Sequence, residues 1–325
     1  MQINDEGQRV LINLAQHYDA WIAAERGLID GRLQWKTIGA GEYLYRIIDR
    51  QGNGISLGRR GADTERQYEA FRHARQTRDD SHAQLRVDAA LYRALRLPQL
   101  PDFAGAVLRE LDRRKLLGAS YQVAGTNAIV AYAIEAVTLP PLGIDTTDDF
   151  DLTWVEAAQA GGGVQPPNTL LAALKKIDAT YTINTEREFQ VRNRRGQEVE
   201  LLLPAALAGG WAREQKLRPI PLPEQDWLLR GRQVSHVVCD TGGEAARLVV
   251  PDPRWFGLHK LWLSQKPGRQ RLKIAKDERQ GMVVLDLVAE AMPHFPMDAA
   301  FRAELPDELL PHVQRWEARR AAAST

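Results

Sequence analysis

A single cysteine, Cys239, stands among 325 residues. An internal disulfide and a four-thiolate zinc site are therefore both excluded, and the chain suits a reducing compartment. Charge of either sign is scarce in the balance: 43 Lys and Arg face 42 Asp and Glu, a net of +1. No whole-protein basic field draws the chain to nucleic acid, so any such contact must use a local patch. No apolar run approaches the roughly 20 residues that span a bilayer. The opening "MQINDEGQRV" lacks a basic stretch followed by an apolar one, so no secretory signal is expected. A cytoplasmic protein with no membrane partner is the expectation. There is no Pro/Gly-dominated tract and no internal repeat, and the length suits two or three domains with a large core.

Residues 1–115 read as a mostly helical region. "EGQRVLINLAQHYDAWIAAERGL" carries apolar positions three and four apart, and "TERQYEAFRHARQTRDDSHAQLRVDAALYRALRL" is a long charged helix-prone tract. Between them "GAGEYLYRIIDRQGNGISLGRRG" suggests a strand pair, or a strand entering a loop. Asp102 is a plausible cap for the helix "FAGAVLRELDRRKLLG". From 116 to 206 the texture alternates: strand "SYQVAG", helix "TNAIVAYAIEAV", strand "TDDFDLTW", helix "NTLLAALKKID", then strands with a turn at Arg195-Gly196. That order describes a small sheet domain with helices, an α+β arrangement. Residues 207–325 mix strands with helices and end in an Ala-rich segment expected to fray.

The strand "TTDDFDLTW" (Thr146 to Trp154) is peculiar. Phe150, Leu152 and Trp154 alternate with Asp149, Asp151 and Thr153, so a two-residue period sets Asp149 and Asp151 side by side on one face. Like charges at neighbouring same-face positions repel. A divalent Mg2+ or Mn2+ placed between them removes the conflict, being hard and oxygen-seeking. Two such ions about 4 Å apart clamp the attacking and leaving oxygens of a phosphoryl displacement. A third carboxylate is available at Glu200 in "GQEVELLLP", where Val199, Leu201 and Leu203 face the other way. Upstream, "VAGTNA" ends a strand at Gly125 and opens a helix, whose unpaired N–H groups and dipole suit a phosphate. The Thr126 hydroxyl and Asn127 amide could add hydrogen bonds; plain capping would explain Thr126 equally well. Each piece alone also fits a solvated turn, a cap or a hairpin surface; their order and strand–helix–strand context favour a metal-dependent site.

"VAGTNAIVAYA" followed by "TTDDFDLTW" resembles the nucleotidyltransferase fold of the DNA polymerase β superfamily. Its pattern is a glycine turn opening a helix, a D-x-[DE] strand, and a later acidic strand. The chain is most similar there to bacterial stand-alone nucleotidyltransferase-like proteins. "SLGRRGADTE" (Ser56 to Glu65), "PRWFGLHKL" (Pro253 to Leu261) and the pair Lys276-Asp277 match further motifs of that group. The C-terminal part also resembles abortive-infection toxins that modify transfer RNA. The resemblance implies a small mixed-sheet nucleotidyltransferase core, flanked by a helical N-terminal region and an α/β C-terminal region. It implies that Asp149, Asp151 and Glu200 hold metals, and that Gly125, Thr126 and Asn127 sit against an NTP triphosphate. Lys260 and Lys276 would neutralise phosphate charge. The acceptor would be RNA (transfer RNA among them), a protein or a small molecule, and an antitoxin is an implied partner. Two departures stand out: Gly-Thr replaces the usual Gly-Gly or Gly-Ser, and the third acid is Glu rather than Asp. A nucleotide- or RNA-binding module without turnover is the alternative, and a metal-dependent phosphohydrolase a third reading.

Other residues read both ways. Arg59 and Arg60, in a Gly-flanked loop, suit phosphate or RNA backbone contact, or plain solvent. His259 on an apolar helix reads as a hydrogen-bonded core histidine, with Lys260 beside it facing solvent. Lys266, Arg269, Arg271, Lys273 and Lys276 form a local basic patch, for triphosphate or nucleic acid, or merely a solvated face. Trp35, Trp154, Trp211, Trp227, Trp255 and Trp262 read mostly as packing.

Overall fold

The computed structural model describes residues 2–28, 31–140, 149–155, 168–210 and 216–323. The first helix, α1 (Asp5–Gly27), buries Val10, Leu14, Tyr18 and Ile22, one apolar stripe at helical spacing. Asn4 caps it by accepting the Gly7 N–H at 2.9 Å. Three strands follow: β1 (Arg32–Ile38), β2 (Gly41–Ile47) and β3 (Gly54–Arg59), an antiparallel meander with β2 central. The sequence suggested at most two strands here. "RLQWKTI" adds a third because Trp35 pairs with Leu44 and packs 5.6 Å from Tyr68 of the long helix α2 (Ala62–Ala94). Helix α2 packs along α1, and α3 (Asp102–Arg113) completes the N-terminal helices with Val107, Leu108 and Leu111 buried.

The chain then builds its main sheet. Strand β4 (Tyr121–Val123) leads through Gly125 into α4 (Ala128–Glu135). Strand β5 (Asp149–Trp154), helix α5 (Asn168–Ile177), strands β6 (Thr182–Ile183), β7 (Gln190–Arg192) and β8 (Glu198–Pro204), and short β9 (Pro221–Leu222) follow. The strand order is β4-β5-β8-β7-β6, with β9 beside β8. The sheet is mixed: β5 and β8 are parallel, while β4–β5, β8–β7 and β7–β6 are antiparallel. This is the expected α+β architecture. A separate hairpin pairs β10 (Val234–Cys239) with β11 (Ala245–Val250).

Two helices close over the sheet's polar face. Helices α6 (Pro253–Leu263) and α7 (Arg271–Ala291) cross closely because Gly257 and Gly281 meet at the contact. A Cβ on Gly257 would lie 2.7 Å from Leu285 Cγ, and one on Gly281 2.7 Å from the Gly257 carbonyl oxygen. Helix α8 (Ala299–Ala303) and helix α9 (Leu310–Ala323) follow. Upstream of the Ala-rich end, the C-terminal helix is docked. Val313 and Trp316 are buried with Trp255, Leu258 and Phe301 in a second core, and the Trp316 indole N–H donates to Asp286 at 2.8 Å. The larger core runs from Ile3 and Tyr18 through Phe150 and Leu201 to Val288, joining elements from all three sequence regions. Among the tryptophans, Trp154 and Trp255 are core, Trp227 and Trp262 stack edge to face at 5.3 Å, and Trp211 lies outside the described residues.

Candidate active site

Strand β5 alternates as its sequence requires. Phe150 and Leu152 are fully buried, and the half-buried Asp149 and Asp151 share the opposite face. The parallel register sets Asp149 beside Glu198 and Asp151 beside Glu200, so four carboxylates occupy one face of two adjacent strands. Across β8, Gln190 of β7 is paired with Glu200, and its amide donates to Glu198 Oε2 at 2.8 Å and Glu200 Oε1 at 3.0 Å. Burial, then repulsion from Asp151 and Asp149, pushes the Glu200 carboxyl up to about 7. Burial likewise raises Asp151; Lys260 opposes that rise and Asp149 adds to it.

The turn after β4 crosses directly over Asp151. Gly125 adopts φ +64°, and a Cβ placed there would sit 1.9 Å from Asp151 Oδ2. The preceding Ala124 N–H donates to the Asp151 carbonyl at 2.9 Å, which fixes the crossing. Only glycine fits a left-handed backbone this near a carboxylate. Thr126 and Asn127 turn inward instead. Both are buried: the Thr126 hydroxyl accepts from Gln280 of α7 at 3.2 Å, and the Asn127 amide donates to the Asp149 carbonyl at 3.2 Å. They hold the turn against β5 and α7 rather than line the cleft.

Cations arrive from α6 and α7. The sequence reading put Lys260 in solvent, and the structure overturns that: Lys260 is buried, and its ammonium donates to Asp277 Oδ1 at 2.9 Å. The close crossing of α6 and α7 seals the pair, and Arg269 grips the other Asp277 oxygen from 2.8 Å through Nε. Burial first, and Lys260 next, lower the Lys276 ammonium, whose surroundings include Asp149 and Asp151. Exposed Lys273 acts electrostatically on both Asp151 and Glu200.

Gly125, Asp151, Glu200, His259, Lys260 and Lys273, among others, line a cleft of about 370 Å³, whereas Asp149 and Lys276 are not part of its lining. His259 is a core residue, as its helix suggested, but not a hydrogen-bonded one. Neither ring nitrogen has a partner among the described residues, and burial drives its pKa down to about 3, so the ring is neutral. The Trp227 ring stands edge-on to it at 6.3 Å. Arg59 and Arg60 lie elsewhere, at the end of β3. Arg60 donates to Glu42 at 2.6 Å and to Glu65 at 3.0 Å, stacks over Trp35, and neither arginine lines the cleft.

Among the described residues, no three His, Cys, Asp or Glu side chains are already gathered closely enough to ligate one ion. The donor set nevertheless fits a hard cation. It consists of carboxylate oxygens on one sheet face, in register, with two of them raised by burial and mutual repulsion.

A profile of the nucleotidyltransferase family matches residues 102–306, more than half of the chain. The chain belongs to the nucleotidyltransferase family. The carboxylates, the Gly125 turn and the lysines of this nucleotidyltransferase all fall within the matched span, whereas Arg59 and Arg60 precede it. Among solved structures it is similar to an antigenic nucleotidyltransferase-like protein from Paracoccidioides brasiliensis, at 15% identity and a TM-score of 0.41, over 70% of this chain and 93% of that one. No curated protein matches. Three participants escaped the sequence reading. Gln190 was legible in principle, since counting equally from Arg195 sets it opposite Glu200. Lys273 was visible only as one charge in a patch. The empty hydrogen-bonding capacity of His259 has no sequence signal at all.

Proposed function

We propose that this nucleotidyltransferase transfers NMP from an NTP to a hydroxyl acceptor, with Asp149, Asp151 and Glu200 as its metal ligands and Mg2+ or Mn2+ as the ion. The observation that carries the reading is the parallel β5–β8 register, which stacks Asp151 on Glu200 at the cleft wall. A bound divalent cation supplies positive charge between the carboxylates and withdraws electrons from the α-phosphoryl group. The chain's own residues do the rest. Gly125 leaves room for the triphosphate beside Asp151, and Lys260, Lys273 and Lys276 offset phosphate charge. A carboxylate of the acidic cluster takes the proton from the acceptor hydroxyl. The new bond joins the acceptor oxygen to the α-phosphorus, the bond from that phosphorus to the bridging oxygen breaks, and pyrophosphate leaves with the electron pair.

The test is incubation with each α-labelled NTP, Mg2+ or Mn2+, and total cellular RNA plus protein. Label should enter one fraction with release of pyrophosphate, and Asp149→Ala and Asp151→Ala should abolish both. NTP binding without cation-dependent turnover on any acceptor would sink the catalytic reading, and release of inorganic phosphate instead would make the protein a phosphohydrolase.

A further inference from the structure

We propose that the exposed face of the β1–β3 meander binds single-stranded nucleic acid. Between Gly31 and Gly61 lie six cations (Arg32, Lys36, Arg46, Arg50, Arg59 and Arg60) and only two acids, Glu42 and Asp49, in a chain whose total is +1. The strand registers sort these charges. One face carries Leu33, Trp35, Glu42, Leu44 and the cation Arg46, with Leu44 fully buried and Trp35 against Tyr68 of α2. The other carries Arg32, Gln34, Lys36 and Ile38 of β1, half-buried Tyr43 and Tyr45 and buried Ile47 of β2, and Ser56 and Arg59 of β3. Glu42, the lone acid within the three strands, is on the packed face and clasped by Arg60. Asp49, in the β2–β3 turn, is occupied by Asn53 at 2.7 Å. The outward face is therefore free of acid.

Its aromatics and cations interleave. Lys36 lies over the Tyr45 ring at 4.9 Å, anchored by the Gly52 carbonyl at 2.9 Å. A Cβ on Gly41 would lie 3.0 Å from the Tyr43 ring and 3.4 Å from Arg59 Nε, so ring and guanidinium share the same patch of sheet. Among the described residues, exposed Arg32 and Arg59 have no acidic partner within ion-pair distance. Arg32 also rims a depression of about 480 Å³ with Arg75, Arg78 and Arg113, where Glu25 is the one acid in the lining. Aromatic faces flanked by unneutralised cations on an open sheet match unpaired bases that stack while phosphates meet the cations. A duplex offers no exposed base faces to Tyr43 and Tyr45. This face stands independently of the acidic cleft, since none of its residues lines that cleft.

Fluorescence anisotropy with labelled 20-nucleotide RNA, DNA of the same sequence, and the duplex tests it on the full chain. Three phosphate contacts predict a salt slope of about −2 for single strands, falling by about 1.4 in Arg32→Ala/Arg59→Ala. Tyr43→Ala/Tyr45→Ala should weaken binding about tenfold or more and Tyr43→Phe/Tyr45→Phe should restore it, with the alanine variant assayed where circular dichroism shows it fully folded, so that a loss of folding is not read as a loss of stacking. Asp149→Ala/Asp151→Ala should bind as the parent does, so failure of the cleft chemistry and failure of this surface read out separately. Whichever of RNA or DNA binds more tightly identifies the ligand. No single-strand binding at 50 mM salt, unchanged affinity in both double variants, or equal affinity for duplex would overturn the proposal.

Discussion

Gly125→Ala isolates what the turn does. The added Cβ would meet Asp151 Oδ2 at 1.9 Å, its Cγ at 2.9 Å and its Cβ at 3.2 Å. Holding alanine at φ +64° costs about 1–2 kcal/mol by itself. The overlapping atoms are the end of a side chain, so the cheapest relief is for the Asp151 carboxylate to swing aside. Global stability should then fall by only about 1–3 kcal/mol, whereas function suffers more. Displacing a reacting group by about 1 Å is worth on the order of 100-fold in rate, so NMP transfer should drop at least that far.

Urea denaturation gives the first quantity, and Mn2+ calorimetry with NTP turnover gives the second. A double-mutant cycle sharpens the assignment. In an Asp151→Ala background the Oδ2 and Cγ contacts are gone and only the 3.2 Å approach to Cβ stays, so Gly125→Ala should cost little beyond the backbone contribution of about 1–2 kcal/mol. Wild-type cation affinity and turnover in Gly125→Ala would refute the reasoning. So would an equal stability loss with and without the Asp151 carboxylate.

Three other perturbations follow from the same geometry. Lys260→Met leaves buried Asp277 with Arg269 alone, and should lower stability by about 2–4 kcal/mol in urea; a loss below about 0.5 kcal/mol would mean the pair is not sealed. Glu200 has its folded pKa raised from 4.5 to about 7, so its contribution is fully present below about pH 4.5 and lost as pH rises through 7. Discounted for its partial exposure, the loss amounts to about 2 kcal/mol in cation-free buffer, and Glu200→Gln should flatten that window in a pH series of melts. His259→Phe removes two unpartnered buried nitrogens, so stability should hold within about 1 kcal/mol while NTP affinity falls about tenfold by calorimetry; unchanged affinity for every NTP would take the ring out of the ligand site.

What the sequence disclosed, and what it hid, divides by range. A two-residue period in "DFDLTW" and "EVELLLP" was enough to place Asp149 and Asp151 on one face and Glu200 on the corresponding face of its own strand. The hairpin between β7 and β8 was legible from its glycine turn, since Gly196 has φ +80°. Lys260 was misread because helical neighbours say only where a residue stands on its own helix. Its burial comes from the Gly257–Gly281 crossing, which no local pattern announces. The third meander strand was missed for a similar reason: "RLQWKTI" is an unremarkable polar run until Trp35 finds Tyr68 on α2.

That division has a mechanical consequence. The acids are local, supplied by strands 50 residues apart that must pair in parallel, while the opposing cations come from α6 and α7, roughly 60 to 125 residues further on. The sheet alone is thus an unfavourable object: parallel pairing forces Asp151 against Glu200, with Gln190 bridging Glu198 and Glu200 as a neutral donor. Only when α6 and α7 dock does Lys260 oppose the rise of Asp151, and Lys273 that of Glu200. Docking in turn buries Lys260, which is tolerable because Asp277 and Arg269 arrive on the same helix pair and its connecting loop. The acidic strands and the basic helices therefore stabilise each other's least favourable groups. Weakening the α6–α7 crossing should raise the Glu200 and Asp151 carboxyls further and loosen the cleft before it unfolds the core.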